Sequence, residues 1–161
     1  MRRYLACSDV HGYLENFIEI FQRERGVDAV LVAGDIEMKT AELLEETGNI
    51  PCYVVRGNCD FYRSRELPDE LVITEGEHRM LLTHGHLYGV PRLKMILHEA
   101  KEQKCDLVVF GHTHQYFEKE EEGILFLNPG ALKGWAEWKT QTYMLIDFND
   151  DGSIDIIKKR L

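Results

Sequence analysis

Five short stretches of the chain carry side chains able to hold a metal ion: Asp9-Val10-His11, Gly34-Asp35, Gly57-Asn58-Cys59-Asp60, His84-Gly85-His86 and Gly111-His112-Thr113-His114. Asp, His and Asn supply oxygen and nitrogen donors and need no thiolate. Such a set suits Mn, Fe, Ni, Zn or Co better than the all-oxygen coordination of Ca or Mg. A pair of cations about 3.5–4 Å apart calls for one bridging carboxylate and roughly three further protein ligands each. Asp35 stands alone on its loop and is the natural bridge. The other groups suffice to fill both sites. Two divalent ions sharing a water would lower its pKa and neutralise an anionic ester.

Each stretch ends an apolar run: "YLACS" (Tyr4–Ser8), "AVLVAG" (Ala29–Gly34), "YVVRG", "MLLT" and "LVVFG". Continuous β-branched runs of this length are expected of strands buried on both faces. Strands in parallel align their carboxyl ends on one edge, where ligands bind, so the polar ends should converge. Between the first three runs lie helical patterns, one carrying Leu14, Phe17, Ile18 and Phe21 and stopping at Gly26, the next ending near Gly48. A third helix is expected over 91–103, with Pro91 in its first turn and Leu93, Ile96, Leu97 and Ala100 on one face. Hairpins are expected to turn at Glu75–Glu77, near Glu122–Gly123 and at Asn149–Gly152. These elements predict an α/β fold in one domain over 1–161, with two packed sheets and helices outside. His112 and His114 are read on an extended segment, pointing to the same side.

Composition narrows the function classes. The chain has 161 residues, 19 basic against 28 acidic, net −9, and 44% hydrophobic. That is enough apolar material for a core and the wrong sign for an extended nucleic-acid surface. The four cysteines, Cys7, Cys52, Cys59 and Cys105, form no C-x-x-C pair. Cys7, Cys52 and Cys105 read as small buried hydrophobes. No run approaches the roughly 20 apolar residues of a membrane span, and Asp9 interrupts the N-terminus before a signal-peptide core could form. The expected location is cytoplasmic, without membrane contact and with a small-molecule substrate. A homo-oligomer stays open, because Trp135 and Trp138 suit either packing or an interface. His78 and His98 are expected to face solvent, and Glu118–Glu122 to form a solvated hairpin face. Arg56 suits either a substrate contact or a strand-end salt bridge.

D-x-H, G-D, G-N-x-D, H-G-H and G-H-x-H, in that order, resemble the motifs of the calcineurin-like metallophosphoesterases, and the short length resembles their small prokaryotic phosphodiesterase branch. "NPGA" at Asn128–Ala131 is similar to the family's N-P-G-S. The resemblance implies a four-layer αββα sandwich of two mixed sheets flanked by helices. It implies two divalent metal ions, with Mn, Ni or Co ahead of Zn, Fe or Mg. Asp9, His11, Asp35 and His114 would hold the first; Asp35, Asn58, His84 and His112 would hold the second. The implied activity is a dinuclear phosphoesterase, foremost a phosphodiesterase, in which a hydroxide bridging the metals attacks phosphorus in line. Two other readings stand beside it: a non-catalytic interaction scaffold of the same fold, and a phosphomonoesterase or nucleotide hydrolase. Cys59 departs from the family pattern, which often has His there, and Ala131 departs from the usual Ser. The general acid therefore lies open among Cys59, Asp60 and His86, beside Asp35 and Asn58 in the catalytic set.

Overall fold

The computed structural model describes residues 1–61, 66–134 and 141–161. The expectations for Trp135 and Trp138 lie outside these residues. Strands β1 (Arg2–Cys7), β2 (Ala29–Val32) and β3 (Cys52–Val54) alternate with helices α1 (Leu14–Arg23) and α2 (Thr40–Thr47). The second half contains β4 (Glu70–Glu75), β5 (His78–Thr83), α3 (Lys94–Glu102), β6 (Leu107–Val109), β7 (Tyr116–Glu121), β8 (Ile124–Pro129), β9 (Thr142–Phe148) and β10 (Ile154–Arg160). They form two five-stranded sheets, ordered β10-β9-β1-β2-β3 and β4-β5-β6-β8-β7. β1, β2 and β3 run parallel, as do β5, β6 and β8, and the remaining pairings are antiparallel. Both sheets are therefore mixed, as expected.

The period of two along each strand builds the layers. In β1, Tyr4 and Ala6 point to the space between the sheets, where they join Leu31, Met80, Leu82, Val109 and Met144. Leu5 and Cys7 point the other way, against Phe17 and Ile20 of α1 and Leu43 of α2. On the far side, Leu81, Val108 and Phe126 pack on Ile96 and Ala100 of α3. The result is helix, sheet, sheet, helix. Truncating a side chain as enclosed as Leu31 typically costs about 2–5 kcal/mol.

Two expectations are corrected here. Pro91 does not sit in the first turn of α3. A turn closed by the Arg92 N–H on the Gly89 carbonyl, 3.2 Å, intervenes, and the helix starts at Lys94. His78 does not face solvent. Its Nδ1 lies 2.7 Å from Asp106 Oδ2 and its Nε2 lies 2.7 Å from the Gly152 carbonyl, so it ties β5 to the β9–β10 turn of the other sheet. His98, by contrast, is exposed, and Arg56 forms the strand-end salt bridge, 2.6 Å from Asp69 Oδ1.

Both acceptors of His78 lack a proton, so only the imidazolium satisfies both. Burial pulls its pKa down, but the Asp106 carboxylate and the Gly152 carbonyl outweigh this and raise it, with Glu77 adding in the same sense. A raised folded value stabilises fully below the unfolded value of about 6.5 and is lost as pH rises through the folded one. His78→Gln is expected to cost more in thermal midpoint at pH 6 than at pH 9. An equal cost at both pH values in calorimetry would contradict an imidazolium clasp.

Candidate metal centre

The parallel strands bring their carboxyl ends to one edge of the sandwich. Asp9 and His11 follow β1, Asp35 follows β2, Asn58 follows β3, His84 follows β5, and His112 and His114 follow β6. The Asp9 N–H donates to the Gly34 carbonyl at 3.0 Å and the His11 N–H to the Asp35 carbonyl at 2.9 Å, extending the β1–β2 ladder into the loops. The structure brings together all seven residues that the sequence nominated as ligands. His114 Nε2 is 3.1 Å from Asp9 Oδ1, and His11 Nε2 is 3.5 Å from the same oxygen. His84 Nε2 is 3.1 Å from Asp35 Oδ2, and His11 Nε2 is 3.7 Å from that oxygen. His112 Nδ1 lies 3.0 Å from Asn58 Oδ1, with its ring centroid 5.2 Å from that of His84.

The reading of His112 and His114 on an extended segment is corrected. β6 ends at Val109, and both histidines are left-handed, with φ of 70° and 61°. Asp9, His11 and Asp35 share that conformation, with φ of 54°, 46° and 54°. Such residues cost roughly 1–2 kcal/mol each and cluster where function demands them. Here the strain turns each side chain off its strand end and into the shared space.

The donor atoms are divided between protein and ligand. Asp9 Oδ2 accepts from Ser8 Oγ at 2.7 Å and from the His112 N–H at 3.1 Å, while Asp9 Oδ1 is buried with no hydrogen bond among the described residues. Asp35 Oδ1 accepts the Cys59 N–H at 2.8 Å, which leaves Oδ2 toward the histidines. His84 Nδ1 donates to the Ala33 carbonyl at 2.6 Å, which places the lone pair on Nε2, also buried without a partner. His11 Nε2 is buried and unpartnered too, while its Nδ1 bonds the Glu37 carboxylate. A carboxylate or carbonyl behind a histidine is the usual support for a metal ligand. Three buried ligand atoms with no hydrogen bond among the described residues, held 3.1–3.7 Å from carboxylate or imidazole atoms of the same set, fit a cation between them.

The same carboxylates set the protonation equilibria. Burial pushes Asp9 up, but its contacts with His11 and His114 hold it well below the usual carboxylate range. Asp35 is lowered despite burial, chiefly by His84. His84 and His11 are raised despite burial, the first by Asp35 and the second by Asp9 and Glu37. His86 and His112 are lowered by burial and by the charge of His84. Burial and the neighbouring Asp35 carboxylate push the Cys59 thiol up to about 11, so it keeps its proton at neutral pH.

The proton-donor candidates differ in placement. Asp60 is buried, and its two oxygens accept the backbone N–H groups of Asp35, Glu37 and Gly57 at 2.9, 2.9 and 2.8 Å. It laces the Asp35 loop to the Asn58 loop and presents no free oxygen. His86 lies in a short 3-10 turn, His86–Tyr88, with its ring centroid 5.4 Å from His84 and its Nδ1 unpartnered. Two supporting residues, Ser8 and Glu37, were not singled out from the sequence, and Asn128 was noted there only as part of "NPGA", without a role. Asn128 Nδ2 donates to the Gly111 carbonyl and to Thr113 Oγ1, both at 3.0 Å, and so holds the loop that carries His112 and His114. The available signals were "GDIE", in which Glu37 follows the bridge by two residues, and "NPGA" itself.

Gly57 is required by close approach. A Cβ there would lie 2.1 Å from Asp35 Oδ1 and 2.5 Å from the Asp35 nitrogen. Gly57→Ala is expected to displace Asp35 and weaken metal retention about 10–100-fold, the usual scale for a lost supporting contact. Equilibrium dialysis with Mn checks this; unchanged affinity would show that the loop yields without moving Asp35.

The profile of the Calcineurin-like phosphoesterase superfamily domain matches residues 3–151. The chain belongs to this superfamily. It is a metal-dependent phosphoesterase. It is 34% identical to the probable metallophosphoesterase YsnB of Bacillus subtilis over 92% of this chain and 86% of that protein. It is 30% identical to phosphodiesterase YfcE of Escherichia coli K12, over 91% of this chain and 88% of that one. A predicted phosphoesterase from Streptococcus pneumoniae TIGR4 superposes with a TM-score of 0.79 at 27% identity, covering 99% of this chain and 98% of the other. Vps29 from Entamoeba histolytica shares the fold at a TM-score of 0.75 and 22% identity, over 99% of each chain.

Proposed function

We propose that the protein hydrolyses phosphodiesters with two divalent ions, Mn, Ni or Co in preference to Mg. The observation that carries the reading is the set of buried ligand atoms with no hydrogen bond among the described residues, Asp9 Oδ1, His11 Nε2 and His84 Nε2. Asp9, His11, Asp35 and His114 would hold one ion, and Asp35, Asn58, His84 and His112 the other. The ions would supply positive charge for the phosphoryl oxygens and acidify the attacking water.

The chain's own residues do the rest. The Cys59 N–H fixes Asp35 Oδ1 and so orients the shared carboxylate. Asp60 holds the Asp35 and Asn58 loops at one spacing. Hydrolysis forms one P–O bond from water oxygen in line with the bond that breaks, and the departing oxygen needs a proton. Cys59, protonated, and His86, beside His84, would hydrogen-bond that oxygen, and the three N–H groups held by Asp60 support a positioning role for it instead.

The diester preference is supported by charge and by the relative named a phosphodiesterase. A monoester dianion benefits from added cationic side chains. Of Arg56 and Arg63, basic residues near the motifs in sequence, Arg56 is engaged with Asp69 through Nε and Nη2 at 2.9 and 2.6 Å, and Arg63 lies outside the described residues. With matched aryl leaving groups and added Mn, kcat/KM is expected to be higher for diesters than for monoesters. The reverse order would overturn the diester assignment.

A further inference from the structure

A cavity of about 350 Å³ adjoins the metal centre and shares His112 with it. Its walls come from Pro91 in the loop before α3, from Phe110 after β6, and from Tyr116 and Phe117 of β7. Phe110 and Phe117 meet edge to face, with centroids 6.2 Å apart. Among the described residues no Asp, Glu, Lys or Arg lines this space, although the chain as a whole carries a net charge of −9. The Tyr116 hydroxyl is committed to Glu118 at 2.8 Å. The exposed Gln115 carboxamide makes no hydrogen bond among the described residues, while its backbone N–H is held by Thr113 Oγ1 at 3.2 Å. An amide on an anchored backbone therefore stands at a wall that is mainly aromatic and aliphatic, with Thr113 beside it.

We propose that this cavity receives one esterifying arm of the substrate, and that the arm is an uncharged, flat ring system with a hydrogen-bonding edge, of aryl to nucleobase size. The inference rests on the phosphodiesterase reading above. Several features select this class. The volume lies at the lower end of small-molecule pockets, which suits a single ring system and not a polymer. Aromatic walls favour a flat ring by area and by edge contacts. Apart from His112, a charged arm would meet no charged side chain in the lining among the described residues to set against its lost hydration, and Lys158, 4.7 Å over the Tyr116 ring, is not part of that lining. The Gln115 amide offers one donor face and one acceptor face, as a base edge or a ring carbonyl requires. Sharing His112 places the cavity directly beside an ester held at the centre, so the arm need not be long.

Two measurements on the Mn-loaded protein separate this inference from the activity it rests on. The first compares kcat/KM for p-nitrophenyl diesters that share a leaving group and differ in the other arm: methyl, phenyl, thymidine or a carboxyalkyl chain. Ring arms are expected to exceed methyl by about 10-fold, with the carboxyalkyl arm below methyl. Phe117→Ala should collapse the ring-over-methyl ratio toward one. Gln115→Ala, an exposed change that spares the core, should lower the thymidine-over-phenyl ratio. The second measures binding of diphenylphosphinate against dimethylphosphinate, whose P–C bonds resist hydrolysis. The diphenyl compound is expected to bind about 10-fold tighter, and Phe117→Ala should remove the difference. If no ester turns over yet the phosphinate preference holds and depends on Phe117, the phosphodiesterase reading fails and the subsite stands. If diesters turn over with every arm alike and the phosphinates bind equally, the subsite is overturned and the activity stands.

Discussion

Asp35→Asn is expected to lower kcat by at least about 10³-fold and to leave fewer than two ions bound per chain. The proposed bridging role rests on Asp35 Oδ2 lying 3.1 Å from His84 Nε2 and 3.7 Å from His11 Nε2, one histidine from each proposed ligand set. Its other oxygen accepts the Cys59 N–H. In the amide, the remaining oxygen must stay on that N–H, because an NH₂ there would set donor against donor. The NH₂ then points at the cations, where a negative oxygen had been. One charge is lost and the replacement repels the ions, while the volume hardly changes and the fold should hold. Metal analysis beside steady-state kinetics tests this. Two ions per chain with near-normal rates would remove Asp35 from the bridging role.

Chelation is expected to abolish hydrolysis, and Mn, Ni or Co should restore it better than Mg. Four histidines, His11, His84, His112 and His114, stand among the nominated ligands. Imidazole suits these metals, whereas Mg prefers an octahedron of oxygens and keeps its water. Proton competition fixes the pH dependence. Neutral imidazole binds metal, and His11 and His84 hold protons more tightly than free histidine because of Asp9, Asp35 and Glu37. Metal affinity should therefore fall as pH drops through those raised values. In the metal-free chain the sign reverses. The charged histidine–carboxylate contacts stabilise fully below about pH 6.5 and are lost as pH rises through the raised values. Full activity in excess chelator, with metal content confirmed as nil, would sink the metal-dependent mechanism. Absence of turnover with every metal and ester would favour the scaffold reading of this fold.

Local chemistry made much of this protein legible in its sequence. A run such as "AVLVAG" reads as a buried strand wherever it lies, because its apolar, β-branched side chains suit two covered faces. The glycines that end the runs mark where the chain must turn. Parallel strands put their ends on one edge, so Asp9, Asp35, Asn58, His84 and His112 could be expected together before any coordinates. Donor type is a property of each residue alone, and so the class of metal could be read with it.

Tertiary structure alone decided how those groups are used. Which oxygen of Asp9 serves the protein depends on Ser8, its neighbour, and on the His112 N–H, which comes from the other sheet. The left-handed turns at Asp9, His11, Asp35, His112 and His114 break the alternation of the strands before them, so no periodicity announces them. Asp60 reads as an acid in "GNCD", yet three N–H groups from two loops make it a fastener. His78 reads as a surface residue beside a turn until the β9–β10 turn closes over it. The neutral cavity beside His112 comes from a loop and strand ends brought together by packing, and none of them signals it alone. The physical reason is common to all of these. A residue's type and its neighbours in sequence bias its backbone, but a hydrogen bond, a pKa and a cavity wall depend on groups delivered from elsewhere in the chain, and only the packing of the two sheets delivers them.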